Sequence, residues 1–173
     1  MDEKVEKLLP AGPPIIGLGV TANWMPKVWP SENFVSLISR LTNNHQIFSG
    51  KRVAVFGTKE ERNIAYPVLS SLAVVECVDL VGKTSIYTVA ACLKKCSIFI
   101  GNDSGLMHVA SALEKKVIAI FGSTSPAFTP PLTKKGDVVQ QKLSCSPCFE
   151  RECPLGHTKC LYDLEPKKVI ELL

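Results

Sequence analysis

The feature that most constrains the fold is a recurrence of short, almost wholly apolar, β-rich runs: Ile15 to Val20, Arg52 to Phe56, Ser97 to Ile100 and Val117 to Phe121. Runs of this kind have no polar face to turn toward water, so each reads as a strand covered on both sides. Between them lie stretches with helical spacing. Asn33 to Leu41, opened by Pro30-Ser31-Glu32, sets Phe34, Leu37, Ile38 and Leu41 on one face. Lys59 to Leu72 is polar and then apolar, and Pro67 is expected to bend or divide it. Ser85 to Lys95 reads as a further helix, Val74 to Leu80 as a strand, and Glu165 to Leu173 as a closing helix. Strands alternating with single helices predict a three-layer α/β fold with a parallel sheet at its centre. The 173 residues suffice for one domain, 1–173, with a core that needs no staples. Residues 144–163 form a cysteine-rich loop segment within it.

Ligands of such sheets sit at the carboxyl ends of the strands, which singles out the loops at 20–29, 57–62, 81–84, 101–105 and 122–131. The fourth is the most informative. Residues 96–108 read Cys-Ser-Ile-Phe-Ile-Gly-Asn-Asp-Ser-Gly-Leu-Met-His. A strand stops at Gly101 and Asn102, Asp103 takes the place of a helix N-cap, and Leu106, Val109, Ala110 and Leu113 continue at helical spacing. The turn leaves the N–H groups of Ser104 to Leu106 without helical partners, at the positive end of the helix dipole. Glycine at 105 lets a ligand approach the backbone. An anion, phosphate above all, suits such a place; an ordinary capped helix start would read the same way locally.

The net charge of +4 is carried by scattered lysines and arginines with no basic block, which speaks against nucleic-acid binding. A small anionic ligand, or at most peripheral contact with an acidic membrane surface, fits it. No apolar run is long enough to span a membrane, and the charged start Met1-Asp-Glu-Lys-Val-Glu-Lys is unlike a signal peptide. A cytoplasmic protein is expected, and its seven cysteines as thiols or metal ligands.

With these loops identified, the chain resembles the C-terminal half of the heptosyltransferases of lipopolysaccharide core synthesis, glycosyltransferase family 9. The likeness is carried by Lys27-Val-Trp-Pro30, Val53-Ala-Val-Phe-Gly57, Leu80-Val-Gly-Lys-Thr84, Asn102-Asp-Ser-Gly-Leu-Met-His-Val-Ala110 and Phe121-Gly-Ser-Thr-Ser-Pro-Ala-Phe-Thr-Pro-Pro-Leu132. It implies a Rossmann-like domain, the C-terminal half of a GT-B glycosyltransferase. By that resemblance the domain binds ADP-heptose as donor for an inverting transfer to the lipopolysaccharide inner core. The acceptor and the catalytic base belong to an N-terminal acceptor domain expected to be absent here, so that no catalytic base lies in this chain and the domain alone is inactive. The implied setting is the cytoplasmic face of the inner membrane of a Gram-negative bacterium.

Matched motif to motif, the resemblance assigns the donor diphosphate to Asp103, Ser104 and Gly105, with the Asp103 carboxylate capping the helix or accepting from a sugar hydroxyl. Lys27 would neutralise the ADP leaving group, so that transfer requires no cofactor; a solvated surface lysine is the plain alternative. Trp29 is packing. Glu60 or Glu61, with Glu61 preferred, would hold the ribose, and Thr84 lies where backbone contacts to adenine are expected. His108, one turn after Ser104, would reach phosphate or sugar. Ser123, Thr124 and Ser125 border the same cleft. One departure stands out: Val20-Thr21-Ala22 replaces the family's Pro-Gly-Ala turn, which weakens the contact expected at Thr21.

Cys145, Cys148, Cys153 and Cys160 form C-x2-C-x4-C-x6-C with His157 inside. Thiolates at such spacing can meet at a structural zinc or an iron–sulfur cluster, or remain structural thiols. Similar cysteines accompany relatives in the family without a part in transfer. Cys77, Cys92 and Cys96 read as small core residues. Two other readings stay open: a non-catalytic nucleotide-binding or metal-stapled interaction module, and a transferase for another nucleotide sugar.

Overall fold

In a computed structural model describing residues 2–44, 48, 50–72 and 76–173, six strands form one wholly parallel sheet. They are β1 Ile15–Gly19, β2 Arg52–Phe56, β3 Cys77–Asp79, β4 Cys96–Asn102, β5 Lys116–Phe121 and β6 Gly136–Gln140. The helices are α1 Asp2–Leu8, α2 Ser31–Thr42, α3 Arg62–Ser71, α4 Ile86–Lys95, α5 Gly105–Ala112, α6 Lys159–Tyr162 and α7 Pro166–Ile170, with a 3-10 turn at Met25–Lys27. The spatial order β3-β2-β1-β4-β5-β6 reverses direction between β1 and β4, the switch point where sheets of this kind open a crevice.

Side chains alternate across the sheet as the period of a strand requires. Ile16, Leu18, Val53, Val55, Ile98, Ile100, Ile118 and Ile120 face one side with Trp29, Phe34, Leu37, Ile38 and Leu41. Ile15, Ala54, Phe56, Phe99, Val117, Ala119 and Phe121 face the other, against Val5 of α1, Val89 and Leu93 of α4, and Met107 and Ala110 of α5. Each fully buried aliphatic or aromatic side chain stabilises the fold by about 1.5–3 kcal/mol, so both faces contribute. That explains why polar residues in the central strands are confined to their ends, at Arg52, Ser97, Asn102 and Lys116.

The expected strands and helices are present, with differences at their ends. The first part of the strand expected at 74–80 lies outside the described residues; the rest is β3. Helix α3 begins at Arg62 rather than Lys59 and runs undivided through Pro67. Helices α1 and α6, the 3-10 turn and strand β6 went unforeseen. Helix α1 has a charged sequence, but Val5 and Leu9 turn inward and the helix rests on α4, fastened by Lys95 to Glu6 and to the carbonyl of Leu9. Strand β6 is an edge strand with mixed polarity; only Val139 is buried, so it lacks the all-apolar signature of its neighbours. No helix among the described residues is long and apolar enough to cross a membrane.

Candidate functional site

A cavity of about 780 Å³ opens at the carboxyl ends of the strands, beside the switch point. It is bounded by the segments after β1, β2, β3 and β4, and Thr21, Lys27, Glu61, Thr84, Asp103, Ser104, Gly105 and His108 all line it. These are the eight residues singled out above as donor contacts.

The most constrained part is the end of β4. Its ladder with β5 continues to Asn102 opposite Ile120, and the Asp103 N–H still donates to the Ile120 carbonyl (3.0 Å). The sheet therefore holds Asp103 in line with the strand. Ser104, not Asp103, occupies the N-cap position of α5, in extended conformation and without a side-chain cap bond. The expected capping role of Asp103 is corrected accordingly: the ladder holds its backbone in line with the strand, one residue before the helix cap. Instead, Asp103 Oδ2 accepts from Lys27 Nζ (2.7 Å) and from the Thr124 hydroxyl (2.7 Å). The Lys27 and Asp103 side chains are only 18% and 5% exposed, so their attraction is far less screened than that of a surface pair. Lys27 is not a solvated surface lysine.

Lys27 is delivered by a short, tightly bonded segment. The 3-10 turn is closed by Lys27 N–H to the Trp24 carbonyl and Val28 N–H to the Met25 carbonyl. Trp29 then locks it to the core: its N–H donates to Asn102 Oδ1, its indole N–H to the Leu164 carbonyl, and its ring meets Phe34 edge-on. Trp29 is packing, as expected, and it ties the segment after β1 to the end of β4.

Gly105 opens α5. The N–H groups of Gly105, Leu106 and Met107 have no helical carbonyl to pair with. A Cβ built on Gly105 meets nothing within 4 Å, and the backbone has ordinary negative φ. Nothing in the protein requires glycine here; the space a side chain would take is that of the cavity. Gly122 is the contrast, since a Cβ there would stand 2.5 Å from Leu161 and 2.7 Å from the Pro26 carbonyl. The Ser104 hydroxyl is shielded from solvent and unpartnered, and His108 follows one turn later on the cavity side.

On the opposite wall, Glu61 Oε2 accepts the Thr58 N–H (2.8 Å). Glu60, fully exposed, folds onto its own backbone N–H and the Thr58 hydroxyl, which hold its carboxyl below the ordinary value. Thr21 is buried, and its Oγ1 lies beside Gly57 together with Glu61. Of the loop at 122–131, Thr129 lines the cavity, while Ser123 and Thr124 are buried behind it. The expectation that 123–125 borders the cleft is corrected: none of the three lines the cavity, and Thr124 acts on the site through Asp103. Asn23, Ile86 and Val89 also line the cavity; Asn23 lies in the carboxyl-end loop 20–29, whereas Ile86 and Val89 belong to α4.

The family model described as glycosyltransferase family 9 (heptosyltransferase) matches residues 2–159. Lipooligosaccharide heptosyltransferase 2 of Campylobacter jejuni is 34% identical over 95% of this chain and 52% of its own length. The solved structure of Escherichia coli ADP-heptose LPS heptosyltransferase II superposes with a TM-score of 0.80 at 27% identity, covering 99% of this chain and 49% of that one. E. coli heptosyltransferase WaaC with ADP superposes at 0.67 and 25% identity, over 93% and 44%. The chain spans about half the length of the curated relatives it matches.

Proposed function

The chain belongs to glycosyltransferase family 9, the heptosyltransferases, and from that premise we propose that its cavity is the donor site for ADP-heptose in an inverting transfer to the lipopolysaccharide inner core. The relatives named above are heptosyltransferases, and one neighbouring structure holds ADP. In this reading the donor diphosphate sits over the first turn of α5, met by the free N–H groups at Gly105 and Leu106 and by the Ser104 hydroxyl. Lys27 neutralises the charge that grows on the departing ADP, a charge-assisted contact worth about 1.5–3 kcal/mol. Asp103, already bound through Oδ2, orients that ammonium and offers its other oxygen to a sugar hydroxyl. Glu61 accepts from the ribose, Thr84 flanks the adenine, and Thr21 and His108 close the sides.

The acceptor hydroxyl attacks the anomeric carbon as the bond to the diphosphate breaks on the opposite face. The group that removes its proton, and the acceptor's own contacts, belong to a region outside these 173 residues, in an N-terminal acceptor domain. Transfer calls on no cofactor here, because the ammonium and the helix start meet the leaving group. The setting that goes with this reading is the cytoplasmic face of the inner membrane, in keeping with seven unpaired cysteines.

The observation that carries the proposal is Gly105: its open Cβ position lies where helix dipole and Lys27 converge. Titration calorimetry with ADP, UDP and GDP tests it. ADP is expected to bind best, and Gly105→Val to lower its affinity at least about tenfold without moving the melting temperature. No heat with millimolar ADP would overturn the reading, and preference for UDP or GDP would assign another nucleotide sugar.

A further inference from the structure

Away from the cavity, no three His, Cys, Asp or Glu side chains among the described residues are grouped to hold a metal ion, Cys145, Cys148, Cys153 and Cys160 included. The chemistry still without a role lies behind the cavity wall, where the segment after β5 meets the two charged groups of the donor site. Thr124 is buried there, and its hydroxyl donates to Asp103 Oδ2 (2.7 Å). The same oxygen accepts from Lys27 Nζ (2.7 Å).

A threonine hydroxyl has one proton to donate. Given to a carboxylate, it makes a short charge-assisted bond, stronger than one between neutral groups. Branching at Cβ stiffens the side chain that presents it. The backbone behind it is held as well. The Thr124 carbonyl accepts from Gln140 Nε2 (3.0 Å) at the end of β6. The Ser123 N–H donates to the Pro26 carbonyl (3.2 Å), one residue before Lys27, and the Ser123 carbonyl accepts from the Phe149 N–H (2.7 Å). The segment after β5 thus grips Lys27 twice, through the backbone at Pro26 and through the carboxylate of Asp103. The other neighbour of the ammonium is the Trp24 ring, 5.4 Å away, a softer contact that tolerates sliding. The β4–β5 ladder fixes the Asp103 backbone but leaves its side-chain torsions free. Thr124 is the neutral donor that stops them from turning.

We propose that Thr124 is a positioning residue for the donor diphosphate. By holding Asp103 Oδ2 it keeps the Lys27 ammonium aimed at the phosphoryl group from which the sugar leaves. The inference rests on the donor reading above and adds to it a residue that does not line the cavity. Without the hydroxyl, Oδ2 loses one of its two donors, the carboxylate turns, and the ammonium follows it. The effect is confined to that end of the ligand, because the ribose and adenine side is met by Glu61 and Thr84. AMP lacks the phosphoryl group that Lys27 meets and ADP has it, so the two nucleotides should respond differently.

Titration calorimetry of the 173-residue chain with ADP and with AMP tests this. Thr124→Val keeps the shape and removes the hydroxyl; it should weaken ADP binding about fivefold and AMP binding less than about twofold. Thr124→Ser keeps the hydroxyl and should bring ADP affinity back to within about twofold of the parent. In a Lys27→Met background, adding Thr124→Val should change ADP affinity no further, since Thr124 acts through that ammonium. Should the valine variant not fold, Thr124→Ala, which adds no bulk, is set against Thr124→Ser instead. Equal loss of ADP and AMP binding overturns the proposal, because a merely structural threonine would weaken both alike. A further loss in the Lys27→Met background overturns it too. A parent chain that does not bind ADP brings down the donor reading and this inference with it, whereas ADP bound equally by parent and Thr124→Val overturns this inference alone.

Discussion

The cavity at the β1–β4 switch point and the loop at 141–158 lie side by side, yet they are positioned by different physics. Around the cavity every functional group hangs from the sheet: Asp103 from the β4–β5 ladder, Lys27 from a turn pinned by Trp29, and Gly105 from the helix that follows β4. Their positions are set by contacts between residues far apart in sequence. The loop has no ladder and few bonds to the sheet, and it carries three free cysteines with a fourth just after it. The difference teaches where precision comes from. A parallel sheet supplies rigidity to whatever emerges from its strand ends, whereas a loop beyond its reach must be held by local bonds of its own.

The largest expected effect breaks this comparison if it fails. Trp29→Ala removes a fully buried ring and two hydrogen bonds, and should cost about 3–5 kcal/mol. Phe149→Ala, in the loop and 46% exposed, should cost less than about 1 kcal/mol. Denaturant midpoints measure both, and equal losses would erase the distinction.

A middle-sized effect sharpens the claim that Asp103 and Lys27 act as a pair. Lys27→Met strands a nearly buried carboxylate and should cost about 1–3 kcal/mol of stability. Lys27→Met combined with Asp103→Asn should recover part of that. Strict additivity across the four proteins of this cycle would mean that the two groups do not interact.

The smallest effect concerns the far end of the sheet. Burial would raise the Asp79 carboxyl, but bonds from Arg62, Lys83 and the Val81 N–H outweigh it and hold it below its ordinary value. A lowered folded value means that the stability Asp79 contributes is present above about pH 4, the unfolded value, and is lost as acid takes the pH down through the folded one. Both basic partners are about half exposed, so the contribution is at most about 1 kcal/mol. Urea midpoints measured from neutral to acid pH should fall less steeply for Asp79→Asn than for the parent chain; parallel curves would refute this.

Much of the fold was legible because burial on both faces writes itself into β1, β2, β4 and β5 as unbroken apolar runs, and into α2 as a clean stripe from Phe34 to Leu41. Edge strand β6 was hidden because Gly-Asp-Val-Val-Gln has one side open to water. Helix α1 was hidden because five of its seven residues are charged and only its packing against α4 reveals an inner face. At the site, the turn at Asp103, Ser104 and Gly105 was legible from residue types after a strand end, whereas Thr21, Lys27, Glu61, Thr84 and His108 were singled out by the resemblance to the family; all eight line the cavity. The partners of Asp103 were not legible. Thr124 is twenty-one residues away, and only the register of β4 with β5 brings the two together.

What the amino-acid order determined by itself is local: which segments are strands or helices, where a helix begins beside a glycine, and which loops carry ionisable groups. Those follow from the period of side chains and from backbone sterics, which act over a few residues. The tertiary structure alone decided that β4 lies beside β1, so that Lys27 and Asp103 meet, and that Asp103 stays on the sheet instead of capping α5. The reason is that hydrogen-bond ladders and burial join residues across the whole chain, and a residue whose backbone is held by one such ladder, with its carboxylate taken by Lys27 and Thr124, is no longer free to satisfy the helix next to it.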